Sequence, residues 1–176
     1  NGTLGTAGDH PRVKFTTGVT AGTVAGWATV DGAPAYYDAT YGLRAYTVGE
    51  GTEFNGAAVQ TSLNTVFTAA NTSPMELLTA ARTVNSLWID SPGAGKYIDL
   101  GSTGSSNLTI ASGMLSLTGN DDFELRRSGT SAGALAQAAN RLFIETEGER
   151  VLTVSVPITG TGTIAKDGTG VLVLNS

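Results

Sequence analysis

Residues 108–125 read Leu-Thr-Ile-Ala-Ser-Gly-Met-Leu-Ser-Leu-Thr-Gly-Asn-Asp-Asp-Phe-Glu-Leu. Apolar and polar side chains alternate here in three short bursts, Leu108-Thr-Ile110, Leu115-Ser-Leu117 and Phe123-Glu-Leu125. Alternation of period two puts the apolar members of each burst on one face, the pattern of a half-buried strand. The turn residues Ser112-Gly113 and Gly119-Asn120-Asp121-Asp122 punctuate the bursts. The rhythm continues through Leu142-Phe-Ile144, Leu152-Thr-Val154-Ser-Val156, Ile158, Ile164 and Leu172-Val-Leu174. Pro157 has no N–H to give to a ladder and belongs at a strand end or bend.

Helical grammar is weak by comparison. Ser73-Pro74-Met75-Glu76 has the order of a helix start, a Ser cap followed by Pro and then Glu, and predicts a short helical turn near 73–82. The Ala-rich run 131–140 is expected to be a loop with one helical turn at most. The fold class is therefore all-β. A sandwich, a barrel and a β-solenoid all fit short strands of this kind. Asp31-Gly32, Asn55-Gly56 and Asp167-Gly168 are hairpin-type pairs and keep the sandwich open. Bursts with only two or three inward apolar residues favour the solenoid, in which each coil buries its thin apolar face by stacking on the next.

The C-terminal stretch is Ile158-Thr-Gly-Thr-Gly-Thr-Ile-Ala-Lys-Asp-Gly-Thr-Gly-Val-Leu-Val-Leu-Asn-Ser176. Gly160, Gly162, Ile164, Lys166, Gly168, Gly170, Leu172 and Leu174 fall on a pattern of spaced Gly, an aliphatic, a Lys, two more Gly and a Leu-x-Leu strand. This pattern resembles the autotransporter-associated β-strand repeat of bacterial secreted proteins. Upstream, 83–89, 97–101 and 108–113 look like the strands that precede that repeat, and the resemblance extends loosely over 27–176. It implies a right-handed parallel β-helix and an extracellular or bacterial cell-surface setting. On this reading 1–176 is a single β-helix domain, a fragment or processed part of a longer chain. Residues 1–50 would form Tyr-rich N-terminal coils and 158–176 the Gly-rich repeat.

Composition agrees with a packed β protein. There are 24 Gly in 176 residues, roughly double ordinary usage. Charged residues make up 14% of the chain, where about 25% is usual. With 40% hydrophobic residues the chain is too apolar for wholesale disorder. No apolar run reaches the roughly 18 residues that a membrane helix needs. The net charge is −5, and the one adjacent basic pair, Arg126-Arg127, follows Asp121, Asp122 and Glu124. A polyanion binder needs a basic patch, so nucleic acid is not expected as a partner. The absence of Cys excludes disulfides and thiolate metal sites, and the single His excludes a multi-imidazole centre within the chain. No cofactor or metal is expected.

Four groups of residues carry potential chemistry. Trp27, Tyr36, Tyr37, Tyr41 and Tyr46 lie close in sequence with Asp31 and Asp38, a composition suited to stacking on sugar rings or to packing over the first coils. Asp121, Asp122 and Glu124 with Arg126 and Arg127 contain the paired carboxylates of glycoside hydrolysis, yet read more simply as a solvated turn. Glu145, Glu147 and Glu149 alternate and would share one face, open to a cation or to water. His10 has no nucleophile elbow around it and reads as a surface residue. The leading expectation is a non-enzymatic structural module of a secreted or cell-surface fibre, stalk or adhesin. It would act through coil stacking and end-to-end or subunit association, with self-association or further repeats of the same chain as partners. A carbohydrate-binding adhesion module built on the aromatic group is the alternative, and a polysaccharide-degrading β-helix enzyme a third reading.

Overall fold

The computed structural model describes residues 12–22, 24–55, 60, 63–71, 75–77, 80–101, 106–128 and 132–175. After three N-terminal strands, β1 (Val24–Val30), β2 (Ala33–Asp38) and β3 (Gly42–Ala45), comes a single 3-10 turn, Val48–Glu50. There follow β4 (Thr52–Glu53), β5 (Asn64–Thr68), β6 (Met75–Leu77), β7 (Arg82–Asp90), β8 (Tyr97–Asp99), β9 (Leu108–Thr118) and β10 (Phe123–Arg126). The chain continues with β11 (Leu135–Gln137), β12 (Arg141–Thr146), β13 (Val151–Val154), β14 (Ile158–Thr159), β15 (Thr163–Asp167) and β16 (Val171–Leu174). No helix among the described residues is long and apolar enough to cross a membrane.

From β4 onward every pairing is parallel, and the chain winds as a β-solenoid. A short sheet runs β16-β13-β10-β8-β6. A long sheet runs β14-β11-β9-β7-β5-β4, with β12 and β15 stacked beside it. Each strand pairs with its equivalent one coil away, as the alternation requires when apolar faces are too thin to bury alone. One inward column is Leu87, Leu115 and Ile144, in mutual register. Another is Ile98, Leu125 and Val154. These side chains are buried within one continuous apolar cluster that also holds Phe54, Phe67 and Phe123.

The long sheet bends at an irregularity along β9. Between β7 and β9 the register shifts after Val84, so that Val84 pairs with Ile110 but Ser86 with Met114. Three residues, Ala111–Gly113, stand opposite the single Asn85 and form a bulge inside one strand where the sequence reading placed a turn between two. Gly113 has φ +80°, and a Cβ there would lie 2.1 Å from the Arg141 carbonyl oxygen.

Three expectations are corrected. Residues 24–45 are not solenoid coils: β1, β2 and β3 form an antiparallel meander. Its first turn is Asp31-Gly32, with φ +53° and +75°, the left-handed pair that a two-residue hairpin demands. The short helical turn expected near 73–82 does not occur among the described residues there; Met75–Leu77 is a strand, paired in parallel with Tyr97–Asp99. Ser73 and Pro74 themselves lie outside the described residues, as do His10 and Gly56. In the Ala-rich run, Leu135–Gln137 is likewise a strand, paired with Leu108–Ile110 on one side and with β14 on the other. In both places, pairing within the stack satisfies the backbone of a three-residue segment that is too short to stabilise a helix.

The motif glycines of 158–176 sit where the last coil meets the one before it. A Cβ on Gly162 would fall 2.3 Å from the Asn140 carbonyl oxygen, and one on Gly168 2.3 Å from that of Thr146. Leu172 packs on the core, whereas Ile164 and Leu174 remain 44% and 54% exposed. Lys166 stands in register with the inward Ile144, and its ammonium donates to the Gly168 carbonyl.

Candidate functional site

The meander packs on the outer face of the long sheet, and this placement disperses the aromatic group. Tyr46 is 2% exposed and lies against Trp88, with ring centroids 5.9 Å apart, in a cluster with Val66, Met114 and Phe143. Burial pushes its hydroxyl up to about 12. Tyr36 stacks on Tyr46 at 5.5 Å, and the Arg44 guanidinium covers Tyr36 at 4.5 Å. Arg44 is fixed by a bidentate pair with Glu50, which draws the Glu50 carboxyl down to about 2 with help from Thr47. Tyr37 is buried, and its hydroxyl donates to the Phe15 carbonyl at 3.1 Å while accepting from the Phe15 N–H at 3.3 Å. Tyr41 lies under the Arg12 guanidinium at 5.6 Å. Trp27 is different: its indole is 52% exposed, edge-on to Phe15 at 6.0 Å. The five residues therefore do not make one stacking platform. Tyr37 and Tyr46 hold the meander together and hold it to the solenoid, and Trp27 alone offers a largely open face.

The charged cluster at 121–127 serves the coil corner. The Gly93 N–H donates to Asp121 Oδ2 at 3.1 Å, from the coil before. The Val151 N–H donates to Asp122 Oδ1 at 2.8 Å, from the coil after. Glu124 accepts from Ser155 Oγ at 2.7 Å. The Arg126 guanidinium lies 3.4 Å from the Tyr97 ring centroid and 3.8 Å from Asp99 Oδ2. Asp122, Glu124, Arg126 and Tyr97 border a shallow groove of about 270 Å³ on the short sheet, with Lys96 and Thr153 on its walls. The paired carboxylates of the hydrolase reading are thus bonded to backbone of neighbouring coils.

Of the three glutamates, Glu145 and Glu147 bring their carboxyls together, whereas Glu149 lies beyond a turn and does not continue their face. Strand β12 ends at Thr146, and Gly148 turns the chain with φ +66°. Glu145 is 1% exposed, Glu147 half-buried and Glu149 exposed. Ser116 Oγ donates to Glu145 Oε2 at 2.9 Å. Burial, reinforced by the nearby Glu147 and Asp167 carboxylates, raises the Glu145 carboxyl to about 7. Among the described residues no group of three or more His, Cys, Asp or Glu is placed to hold a metal ion. The raised value makes the native state bind the extra proton, so this site's contribution to stability is intact below about pH 4.5 and is lost as pH rises through about 7. Urea denaturation of Glu145→Gln at a series of pH values is expected to lose that decline, which should amount to roughly 3 kcal/mol in the parent. Equal slopes for parent and variant across this window would refute the assignment.

A second groove, of about 400 Å³, follows the bend of the long sheet where β1 crosses it. Gly26 makes the approach close, because a Cβ there would lie 1.9 Å from the Ser112 carbonyl oxygen. Trp27 forms one wall, and Ser112, Asn140, Arg141 and Thr163 supply the polar lining. Sequence reasoning selected Trp27 and missed the other four. They come from three successive coils, and no local pattern marks them. In comparisons with known proteins, no protein family, curated protein or solved structure matches the chain.

Proposed function

We propose that the chain is a non-enzymatic stacking module of a bacterial secreted or cell-surface fibre, stalk or adhesin. The observation that carries this reading is the exposed apolar edge of the last coil. At the first coil, Phe54 is 1% exposed and lies 6.3 Å from the Phe67 ring, and the Asn71 amide donates to the Phe54 carbonyl at 2.9 Å. The edge strand there, β4, is two residues long and exposes Glu53, a protected edge. The last coil instead leaves Ile164, Val171, Val173 and Leu174 between 38% and 54% exposed. Its strands are the outermost members of both parallel sheets, and such an edge is a template for another strand. The occupant that fits is a further rung of the same alternating pattern, continuing the interface that already joins every pair of coils. The likeness of 158–176 to the autotransporter-associated repeat supports the same reading and its extracellular setting.

Sedimentation velocity across a concentration series is expected to show reversible self-association of the chain. Leu174→Lys, which puts a charge on the open rung, should return it to the monomer. A parent that stays monomeric at high concentration, or association that survives this change, would remove the proposal.

A further inference from the structure

We infer that the groove between β1 and the bend of the long sheet is a binding site for an acidic saccharide, a sugar chain carrying carboxylates. The inference does not rest on the stacking-module reading, since the groove lies on the side of the solenoid and the open rung at its end.

Three observations converge on this groove. The first is Trp27. A large aromatic side chain left 52% exposed beside a concave surface offers the flat apolar face on which the C–H groups of a pyranose ring can rest. The protein's other Trp, Trp88, is 6% exposed, and its indole N–H donates to Thr118 Oγ1 at 2.8 Å.

The second observation is Arg141. Other guanidinium groups of the protein have internal partners: Arg44 has Glu50, Arg126 has Asp99 and the Tyr97 ring, and Arg150 donates to the Gly119 carbonyl at 2.7 Å and to Asn120 Oδ1 at 2.8 Å. Arg141 is exposed and makes no side-chain hydrogen bond, ion pair or ring contact among the described residues. Among the described residues it is also the only charged side chain on the groove's lining, in a chain of net charge −5. A free guanidinium fork in a polar cleft matches a carboxylate in a planar, two-pronged geometry.

The third observation is spacing. Ser112 belongs to the coil of β9, Asn140 and Arg141 to that of β12, and Thr163 to that of β15. Paired strands of successive coils stand about 4.8 Å apart, close to the advance of one sugar unit along a polysaccharide. The polar groups thus form a column along the solenoid axis, with the indole on its flank. A chain of hydroxyl-bearing rings laid along the axis would meet one polar rung per sugar, and its carboxylate would meet Arg141.

The test uses the whole chain and two defined probes, a galacturonate trisaccharide and the neutral galactose trisaccharide. With Trp88 buried, saturable change in Trp emission reports on Trp27, and calorimetry gives an independent affinity. The acidic probe is expected to bind at least tenfold more tightly than the neutral one, and the difference should shrink with added salt. Arg141→Gln should abolish that preference while leaving the circular dichroism spectrum unchanged. Trp27→Ala should eliminate binding of both probes by calorimetry. Trp27→Phe, which keeps a ring against Phe15, guards against a folding defect and should retain part of the affinity. No saturable binding of the acidic probe, equal affinity for both probes, or full binding by Arg141→Gln would each overturn the inference.

Discussion

Gly113→Ala is expected to cost the protein about 2–6 kcal/mol, a large part of the stability of an ordinary domain. Two costs add at this position. The backbone is left-handed, with φ +80°, and the new methyl would sit 2.1 Å from the Arg141 carbonyl oxygen and 3.3 Å from Ala139 Cβ. The clashing atom is backbone in the next coil, so no rotamer change relieves it. The bulge must open, and with it the register that carries Met114 outward and Leu115 inward. Gly148→Ala is the matched control. It shares a positive φ, +66°, but nothing lies within 4 Å of the added Cβ, so only the backbone cost of about 1 kcal/mol remains. Urea denaturation followed by far-ultraviolet circular dichroism separates the two. Similar losses for both variants would mean that coil-to-coil contact at the bulge does not matter.

Phe67→Ala should be nearly as damaging, about 3–5 kcal/mol, because the cavity it leaves opens in the middle of the aromatic stack. Phe67 is fully buried, with its ring 6.3 Å from Phe54 and 4.9 Å from Phe123. It links the residue that covers the first coil to one two coils further on. Lys96, which stands one position before Tyr97 and so opposite Phe123, is diverted from the interior to the Ala69 and Asn71 carbonyls, at 2.9 and 2.6 Å. Phe67→Leu should recover more than half of the loss by refilling most of the volume. An alanine variant less than about 1.5 kcal/mol below the parent would show that the stack collapses around the gap or was never tight.

What the sequence reveals is the side of each strand that faces inward. Leu115, Leu117, Leu125, Ile144, Leu152 and Val154 are all buried, as their alternation requires. What it conceals is the identity of the partner strand. Alternation is the same in antiparallel and parallel pairs, so 24–45 reads like the coils that follow, and only Asp31-Gly32 hints at a hairpin. The cap-like order at Ser73-Pro74 is local grammar, and Met75–Leu77 is placed instead by Tyr97–Asp99, 22 positions along in register. The groove is the least legible feature. Trp27, Ser112, Arg141 and Thr163 meet only because a meander crosses three stacked coils, and the exposure of Trp27 could not be distinguished in sequence from the burial of Tyr46.

Asp121 and Asp122 are adjacent on the chain, yet one is tied to the coil behind and the other to the coil ahead. A solenoid held only by repetitive ladders is open to slippage, since sliding a coil by one position keeps most backbone bonds while turning every side chain inside out. Here such a slip would have to break a carboxylate bond on one flank or the other. The two aspartates therefore act like a pawl on a ratchet, indexing three consecutive windings at once and biasing a growing stack toward a single winding phase.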